Sequence, residues 1–321
     1  MPKVSVIVPI YNVVAYIERC ARSLMEQTLT DIEYIFVNDC TQDNSIEILK
    51  RTIEHYPTRK GNVKYVNHDV NKGLTSARNS GLKLATGAYI AHCDSDDWVE
   101  PTMYEELYNK AIDDNADVVY SDIKMVFKDS NSTYRAAEYS RCKKAFMRNY
   151  IASVWTCLVN IFAKRELYEV HKLSSPTHLC YCEDFWLSVR LLHYAGKISH
   201  IEKAFYNYNR TNETSIVHRL NNKTEKDEQV AYLETIDFFL DQKCLKDYEK
   251  EMSWRILKSK QDLVLDKNRH KEFLKIYPQS HNYVWDCPFI NRKLKVMMWL
   301  LVHNYSSLLN CILGTRIILG R

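Results

Sequence analysis

Ala88-Tyr89-Ile90-Ala91 runs straight into His92-Cys93-Asp94-Ser95-Asp96-Asp97-Trp98, a short apolar segment followed by three carboxylates within four residues. Carboxylates this close repel one another, and the turn becomes favourable once a cation or a row of hydrogen-bond donors arrives. Such spacing at the end of a strand suits a hard divalent ion and a diphosphate. It equally suits an acidic turn that caps the next helix, and the stretch alone leaves both readings open.

Upstream, the same grammar repeats. Val4 to Val8 is a β-branched run ending at Pro9, the pattern of a strand covered on both faces. Asn12 is placed to cap a helix whose apolar positions are Val13, Ile17, Cys20, Ala21 and Leu24. Tyr34 to Val37 forms a second strand before Asn38-Asp39, and Ile46, Leu49 and Ile53 mark a second helix. Val63 to Val66 is a third strand, Thr75 to Ala85 a third helix closed by Gly87, and Ala88 to Ala91 the fourth strand. This alternation predicts right-handed β-α-β units and a mostly parallel, Rossmann-like α/β sheet flanked by helices. Pro9 to Asn12, Asn38-Asp39, Asp69 and Asp94 to Asp97 then all follow the carboxyl ends of strands, where open α/β sheets bind ligands. Neither GxGxxG nor GxxxxGK[ST] occurs, so phosphates need another holder, and a metal on the Asp94 to Asp97 turn with Lys72 and Arg78 fits.

The 321 residues are 46% hydrophobic and 26% charged, which predicts a packed globular chain. Residues 1 to 120 carry 12 Lys+Arg against 18 Asp+Glu, a net of −6, and the remainder carries +10. An acidic front and a basic back suggest two working surfaces. A total of +4, with no aromatic-basic recognition motif, argues against nucleic acid. Met1-Pro2-Lys3 leads directly into the first strand without a signal-peptide pattern, so a cytoplasmic location is expected. Ten scattered cysteines show no paired CxxC spacing and are expected to be reduced thiols; His178, Cys180 and Cys182 form the one approach to a metal cluster.

VSVIVPIYN, FVNDCTQDNS, NKGLTSARNSGL and HCDSDDW, in this order and at these separations, resemble family 2 glycosyltransferases of the GT-A nucleotide-sugar-binding fold over residues 3 to about 120. The resemblance implies that Pro9, Tyr11 and Asp39 line the nucleoside pocket, with Asp39 on the base. It further implies that Arg78 lies near the nucleotide, Asp94 near the ribose or sugar, and Asp96 on a divalent ion, Mn2+ or Mg2+. Asn12, Lys72 and Ser95 complete the implied donor site. One departure stands out: the family often has Asp-Asp-Gly-Ser where this chain has Asn38-Asp39-Cys40-Thr41, so the turn loses its glycine.

Residues 121 to 150 are polar and read as a linker. Cys182-Glu183-Asp184-Phe185-Trp186 then opens a helix with Phe185, Val189, Leu192 and Ala195 on one side and Gly196 as its stop. By itself the acidic pair complements a helix N-terminus. The resemblance instead makes Asp184 the catalytic base, with Glu183 the next candidate. Tyr206, Tyr208 and Arg210, followed by Ser215 and His218, echo a further family segment, and His218 is a candidate contact to the metal or diphosphate. Residues 224 to 275 read as charged helices without a catalytic cluster.

The resemblance implies a GT-A domain over residues 1–220 and a helical region over 221–321. The implied reaction is an inverting, single transfer of sugar from a nucleotide-sugar, UDP-linked by family expectation, to a hydroxyl of a glycan or lipid-linked acceptor. The rival readings are a catalytically inactive nucleotide-sugar-binding subunit and a sugar-phosphate nucleotidyltransferase. Gln-x-x-Arg-Trp, usual in processive relatives, does not occur. Toward the C-terminus Leu294, Met297, Met298, Leu301, Tyr305, Leu308, Leu309 and Ile312 recur at helical spacing, and no acidic residue follows Asp286. The apolar run is too short to span a bilayer, so this helix is expected either to lie on an anionic membrane, placing the chain peripherally on the inner face of the cell membrane, or to pack on protein.

Overall fold

The structure is a computed structural model and describes all residues except 135–136, 154–155, 214, 216–220 and 319–321, with the side chains of 131 and 314–318 also left out. The chain divides into two compact units: residues 1–146 with 155–220, and residues 147–154 with 221–321.

The first unit opens as expected: β1 (Val4–Ile10), α1 (Ile17–Met25), β2 (Ile32–Asn38), α2 (Ser45–Glu54), a single turn α3 (Pro57–Lys60), β3 (Val63–Asn67), α4 (Leu74–Leu84) and β4 (Tyr89–His92). β1 pairs in parallel with β2 and β4, and β2 with β3. All seven residues of β1 are buried, as its unbroken apolar sequence requires of a strand covered on both faces. One expectation fails here. Asn12 does not cap α1; it takes a left-handed backbone (φ 52) and its N–H donates to Thr41 Oγ1 at 2.8 Å, so the helix begins only at Ile17.

Beyond β4 come β5 (Trp98–Val99), α5 (Met103–Asp113), β6 (Val118–Val126), β7 (Asn131–Tyr134), α6 (Lys143–Ala152), β8 (Ile161–Lys164), α7 (Arg165–Val170), α8 (Glu183–Tyr194) and β9 (Ile198–Asn209). Residues 121–150 are therefore no linker: they hold most of β6, the antiparallel β7 and the start of α6. The strand order is β3-β2-β1-β4-β8-β6-β9-β5, with β8 antiparallel to both β4 and β6, so the sheet is parallel in its first half and mixed in its second.

A buried carboxylate fastens the parallel half. Glu33 of β2 accepts from Ser5 Oγ (2.5 Å), Thr86 N–H (2.5 Å) and Gly87 N–H (3.1 Å), and pairs with Lys64 (2.6 Å). Burial alone would raise its pKa, but Lys64, Ser5 and Thr86 outweigh burial and hold the carboxyl below its ordinary range.

The second unit contains α9 (Asn222–Asp241), α10 (Glu249–Ser259), α11 (His270–Lys275), α12 (Arg292–Val302) and α13 (Ser306–Ile318). Asn221 caps α9 through a reciprocal bond pair with Thr224. The single C-terminal helix read from the sequence is two, broken at His303 to Tyr305, where Asn304 takes φ 64. The apolar stripe of α12 turns inward: Met297, Met298 and Leu301 join a core with Leu257, Phe273 and Val284. Among the described residues no helix is long and apolar enough to cross a membrane.

Gly87 tests the fastening. A Cβ there would lie 2.6 Å from the Ser5 nitrogen and from the Val4 carbonyl carbon, both backbone atoms of β1 that cannot yield. Gly87→Ala is expected to destabilise the chain by about 1–3 kcal/mol or more, read as a lower thermal midpoint.

Candidate active site

Three strand-end loops and two helices build the site, all in the first unit. Asp39, at the end of β2, is buried, and its carboxylate is fully directed. Oδ1 accepts from His68 Nδ1 (2.7 Å) and the Lys72 N–H (2.8 Å), and Oδ2 from the Gly73 N–H (2.8 Å). His68 Nε2 meets Ser80 Oγ at 2.8 Å. Asp39 thus positions the loop that starts α4, where Gly73 needs φ 87. Beside it, Thr41, Asp43 and Ser45 take the N–H groups of Asn12, Val14 and Val13 (2.8, 2.9 and 3.1 Å), tying the loop after β1 to the loop after β2. Pro9 is buried within β1 opposite Val37, whereas Tyr11 is 45% exposed at the mouth. The Lys72 side chain is exposed, and its described contact is made by its backbone.

Arg78 lies at the centre. It projects from α4, is 1% exposed, and contacts three carboxylates: Nη2 donates to Asp94 Oδ1 (3.0 Å), and Nη1 to Asp184 Oδ1 (2.5 Å) and Glu183 Oε1 (3.1 Å). Asp184 Oδ2 also accepts from the Leu158 N–H (3.2 Å). One guanidinium cannot neutralise three carboxylates. Burial raises the pKa of Glu183 and Asp184, neighbouring carboxylates add to the rise, and Arg78 opposes it. The chemical content is a carboxyl at Asp184 more basic than an ordinary aspartate, held at one point by Arg78 and at another by main chain.

The acidic turn is assembled from β9, more than a hundred residues away. The Tyr206 hydroxyl accepts the Asp94 N–H (2.9 Å) and donates to Asp97 Oδ2 (2.7 Å), while the Asn209 N–H donates to Asp97 Oδ1 (2.7 Å). Asp97 is buried and its pKa lies far above the ordinary range, through burial first and then through Asp96 and Asp94. It anchors the turn rather than facing outward. Asp96 is half-buried, with Oδ2 accepting from Asn212 Nδ2 (2.7 Å) and its carbonyl from Asn209 Nδ2 (3.2 Å). Burial and then Asp94 raise its pKa as well. Ser95, between them, is buried at 5% exposure.

The structure therefore gathers Arg78, Asp94 and Asp184 at one point, sets Asp96 beside Asp94 in the turn, and groups Asp39 with the loops bearing Tyr11, Asn12 and Lys72. His68, Asn209 and Asn212 are residues of this network that sequence reading missed, since each acts on a partner distant in the chain, while Asp97 was read only as part of the acidic turn and Tyr206 only as part of a further family segment. Among the described residues no group of three His, Cys, Asp or Glu side chains is arranged to hold a metal, the His178, Cys180 and Cys182 neighbourhood included. His218 lies outside the described residues.

The sequence profile of glycosyl transferase family 2 matches residues 5–169. The chain belongs to that family. It is a glycosyltransferase of GT-A fold, as the resemblance implied. A Bacillus subtilis (strain 168) protein named glycosyltransferase EpsH is 32% identical over 258 residues, covering 78% of this chain and 73% of the relative. Among solved structures, S. aureus TarS 1-349 in complex with UDP-GlcNAc superposes with a TM-score of 0.71 at 18% identity, covering 99% of this chain and 92% of that one. The mannosyltransferase PcManGT from Pyrobaculum calidifontis, in complex with GDP-Man and Mn2+, gives 0.51 at 15% identity over 99% of this chain and 80% of that one. At these identities the structural likeness carries the fold.

The missing glycine after Asp39 is accommodated by strain. Cys40 adopts φ 58, the left-handed region where a side chain costs roughly 1–2 kcal/mol. Cys40→Gly is expected to preserve the loop and stabilise the chain by up to about 1 kcal/mol, the unfolded-state freedom of glycine offsetting the rest. A denaturant titration that shows no gain, or a loss, contradicts this account.

Proposed function

We propose that this glycosyltransferase is inverting and metal-dependent, moving one hexosyl unit from a UDP-sugar to a hydroxyl of a glycan or lipid-linked acceptor within residues 1–220. The observation that carries the reading is the Arg78 bridge. A carboxylate of the acidic turn, on the donor side, and Asp184, on the acceptor side, share one buried guanidinium. A single-displacement transfer needs those two functions at one point.

Asp184 takes the proton of the acceptor hydroxyl as that oxygen attacks the anomeric carbon. Its burial supplies the basicity, and Arg78 with the Leu158 N–H fixes its direction. One attack on the face opposite the leaving group inverts the anomeric configuration, so no second carboxylate is required as a nucleophile. Asp39, Tyr11 and the joined loops form the nucleoside end, with uridine favoured by the UDP-GlcNAc that TarS binds.

The residues of the turn fit a hard divalent cation. Asp94 and Asp96 offer oxygen donors alone, and the Asp96 carboxyl, raised by burial and then by Asp94, would gain from a cation beside it. Asp94 and Asp96 would hold such an ion together with the donor diphosphate, and the presence of Mn2+ with GDP-Man in the PcManGT structure favours a metal-dependent reading. The ion, when bound, offsets charge growing on the departing diphosphate.

Asp96→Ala is expected to abolish Mn2+-dependent UDP binding while the fold persists, since a half-solvated carboxylate contributes little to the core. Calorimetric UDP affinity equal to wild type would remove Asp96 from the metal. A panel of nucleotide sugars, scored for nucleoside diphosphate release with and without Mn2+, tests the reaction itself.

Asp184→Asn keeps the shape but not the proton acceptor, so turnover should fall about a hundredfold or more with donor binding retained. In the wild type the base works ionised. Activity should therefore decline as pH falls through a carboxyl pKa above that of ordinary aspartate, the raised direction found for Asp184. Most of the activity surviving in Asp184→Asn would shift the base to Glu183.

A further inference from the structure

α12 divides its side chains between two surroundings. Met297, Met298, Leu300 and Leu301 are buried, whereas Arg292, Lys293 and Val296 are exposed. At roughly 100° per residue, Lys295, Trp299, Arg292 and Val296 fall on one continuous arc of the helix, and Lys293 lies just beyond it, past the buried Leu300. Past its end the Trp299 ring stacks with His303 (4.4 Å between centroids) and Tyr305 (5.7 Å), and Tyr305 is 53% exposed. Beside the arc opens a cavity of about 570 Å3, walled by Leu265, Leu294 and Met297 and rimmed by Arg292 and Lys293. Leu265 is itself 37% exposed.

The charge that α12 itself presents on this face has one sign. No acidic residue follows Asp286 in the sequence, and Asp286 pairs with Lys250 at 3.7 Å. Asp262 and Asp266 flank Leu265 on the opposite wall, so the cationic strip belongs to α12. Cations that alternate with an aliphatic residue and amphipathic rings, next to an apolar cavity, complement a surface that is anionic outside and apolar just beneath.

We propose that this outward face of α12 docks on the surface of an anionic phospholipid leaflet. Arg292 and Lys293 meet headgroup phosphates, Val296 and Leu265 enter the acyl boundary, and Trp299 with Tyr305 sit at headgroup level. Of the stripe that the sequence offered for this task, Leu294, Met297, Met298, Leu301, Leu309 and Ile312 are spent on the unit's own core, Tyr305 and Leu308 stay exposed, and the membrane-facing side of α12 is the opposite one. The proposal deepens the lipid-linked reading of the acceptor and rests on it for its purpose, since docking brings a soluble donor and a membrane-held acceptor to one enzyme.

The test is flotation of the full chain, without nucleotide, on vesicles of phosphatidylcholine alone and of phosphatidylcholine with phosphatidylglycerol. Binding is expected on the anionic vesicles only and should fade as salt rises. Arg292→Gln with Lys293→Gln should lower partitioning about tenfold or more, and Val296→Asp should lower it at every salt concentration. These positions are exposed, and a thermal melt verifies folding; the salt response of the unaltered chain reads the same electrostatic contribution independently. Absent binding, equal binding to both vesicle types, unchanged partitioning of the variants, or retention on a soluble polyanion without flotation would each overturn the proposal. No turnover enters the measurement, so a failure here leaves the donor-panel result standing, and a chain that floats but releases no diphosphate overturns only the proposed reaction.

Discussion

The site depends on a single buried cation. Arg78 at 1% exposure is tolerable only because three carboxylates surround it, and those carboxylates are tolerable at such depth only because of it. A buried ion pair roughly balances desolvation against attraction, while breaking one by removing a partner costs about 3–5 kcal/mol. Here the stoichiometry is deliberately unequal. Three acids and one base leave excess negative charge, which adds to burial in raising the pKa values of Glu183 and Asp184. That excess suits both a proton arriving from an acceptor hydroxyl and a metal arriving with a diphosphate.

Around that cation the acidic turn is held by an element from the other end of the first unit. Tyr206 spans Asp94 and Asp97 with one hydroxyl, accepting from a main-chain N–H and donating to a carboxylate. The neighbouring Asn209 and Asn212 address Asp97 and Asp96. Three aspartates within four residues thus have three destinations: Asp94 to Arg78, Asp96 to the half-open surface, and Asp97 to β9. The crowding that looked unfavourable in isolation is resolved by giving each carboxylate different donors.

The parallel half of the sheet was legible because its strands carry short apolar runs and its helices keep a clean period. The mixed half was not, for a reason visible at Ser121 and Asp122. Both are buried in β6, where the Ser121 carbonyl accepts from Asn160 Nδ2 at 3.0 Å and Asp122 meets His200 Nε2 at 3.1 Å. A strand that buries polar side chains on long-range partners carries no hydrophobic pattern, and its sequence resembles a linker. Asp39, Arg78, Asp94 and Asp184 were singled out through family resemblance, and the structure brings the last three together. Asp97 was in plain view, yet nothing local distinguished it from Asp96, because burial separates them and burial is decided by Tyr206. The C-terminal stripe was correctly read as apolar, but periodicity alone cannot say which surface an amphipathic helix faces.

Three of the eight described non-glycine residues with positive φ border the site. Asn12, Cys40 and Cys182 all hold positive φ (52, 58 and 63), and each precedes or follows a predicted site residue. Asparagine visits this region at little penalty, whereas each cysteine costs roughly 1–2 kcal/mol. The returns are directional. Cys40 turns the chain so that the Thr41 hydroxyl accepts the Asn12 N–H, closing the loops after β1 and β2 on each other. Cys182 is the N-cap of α8, and its reversal of direction delivers Glu183 and Asp184 together onto Arg78. Without that reversal the pair would lie in an ordinary first helical turn facing solvent, where acidic residues merely complement the helix dipole. The strain at Cys182 is thereby coupled to the buried ion pairs that Glu183 and Asp184 make with Arg78.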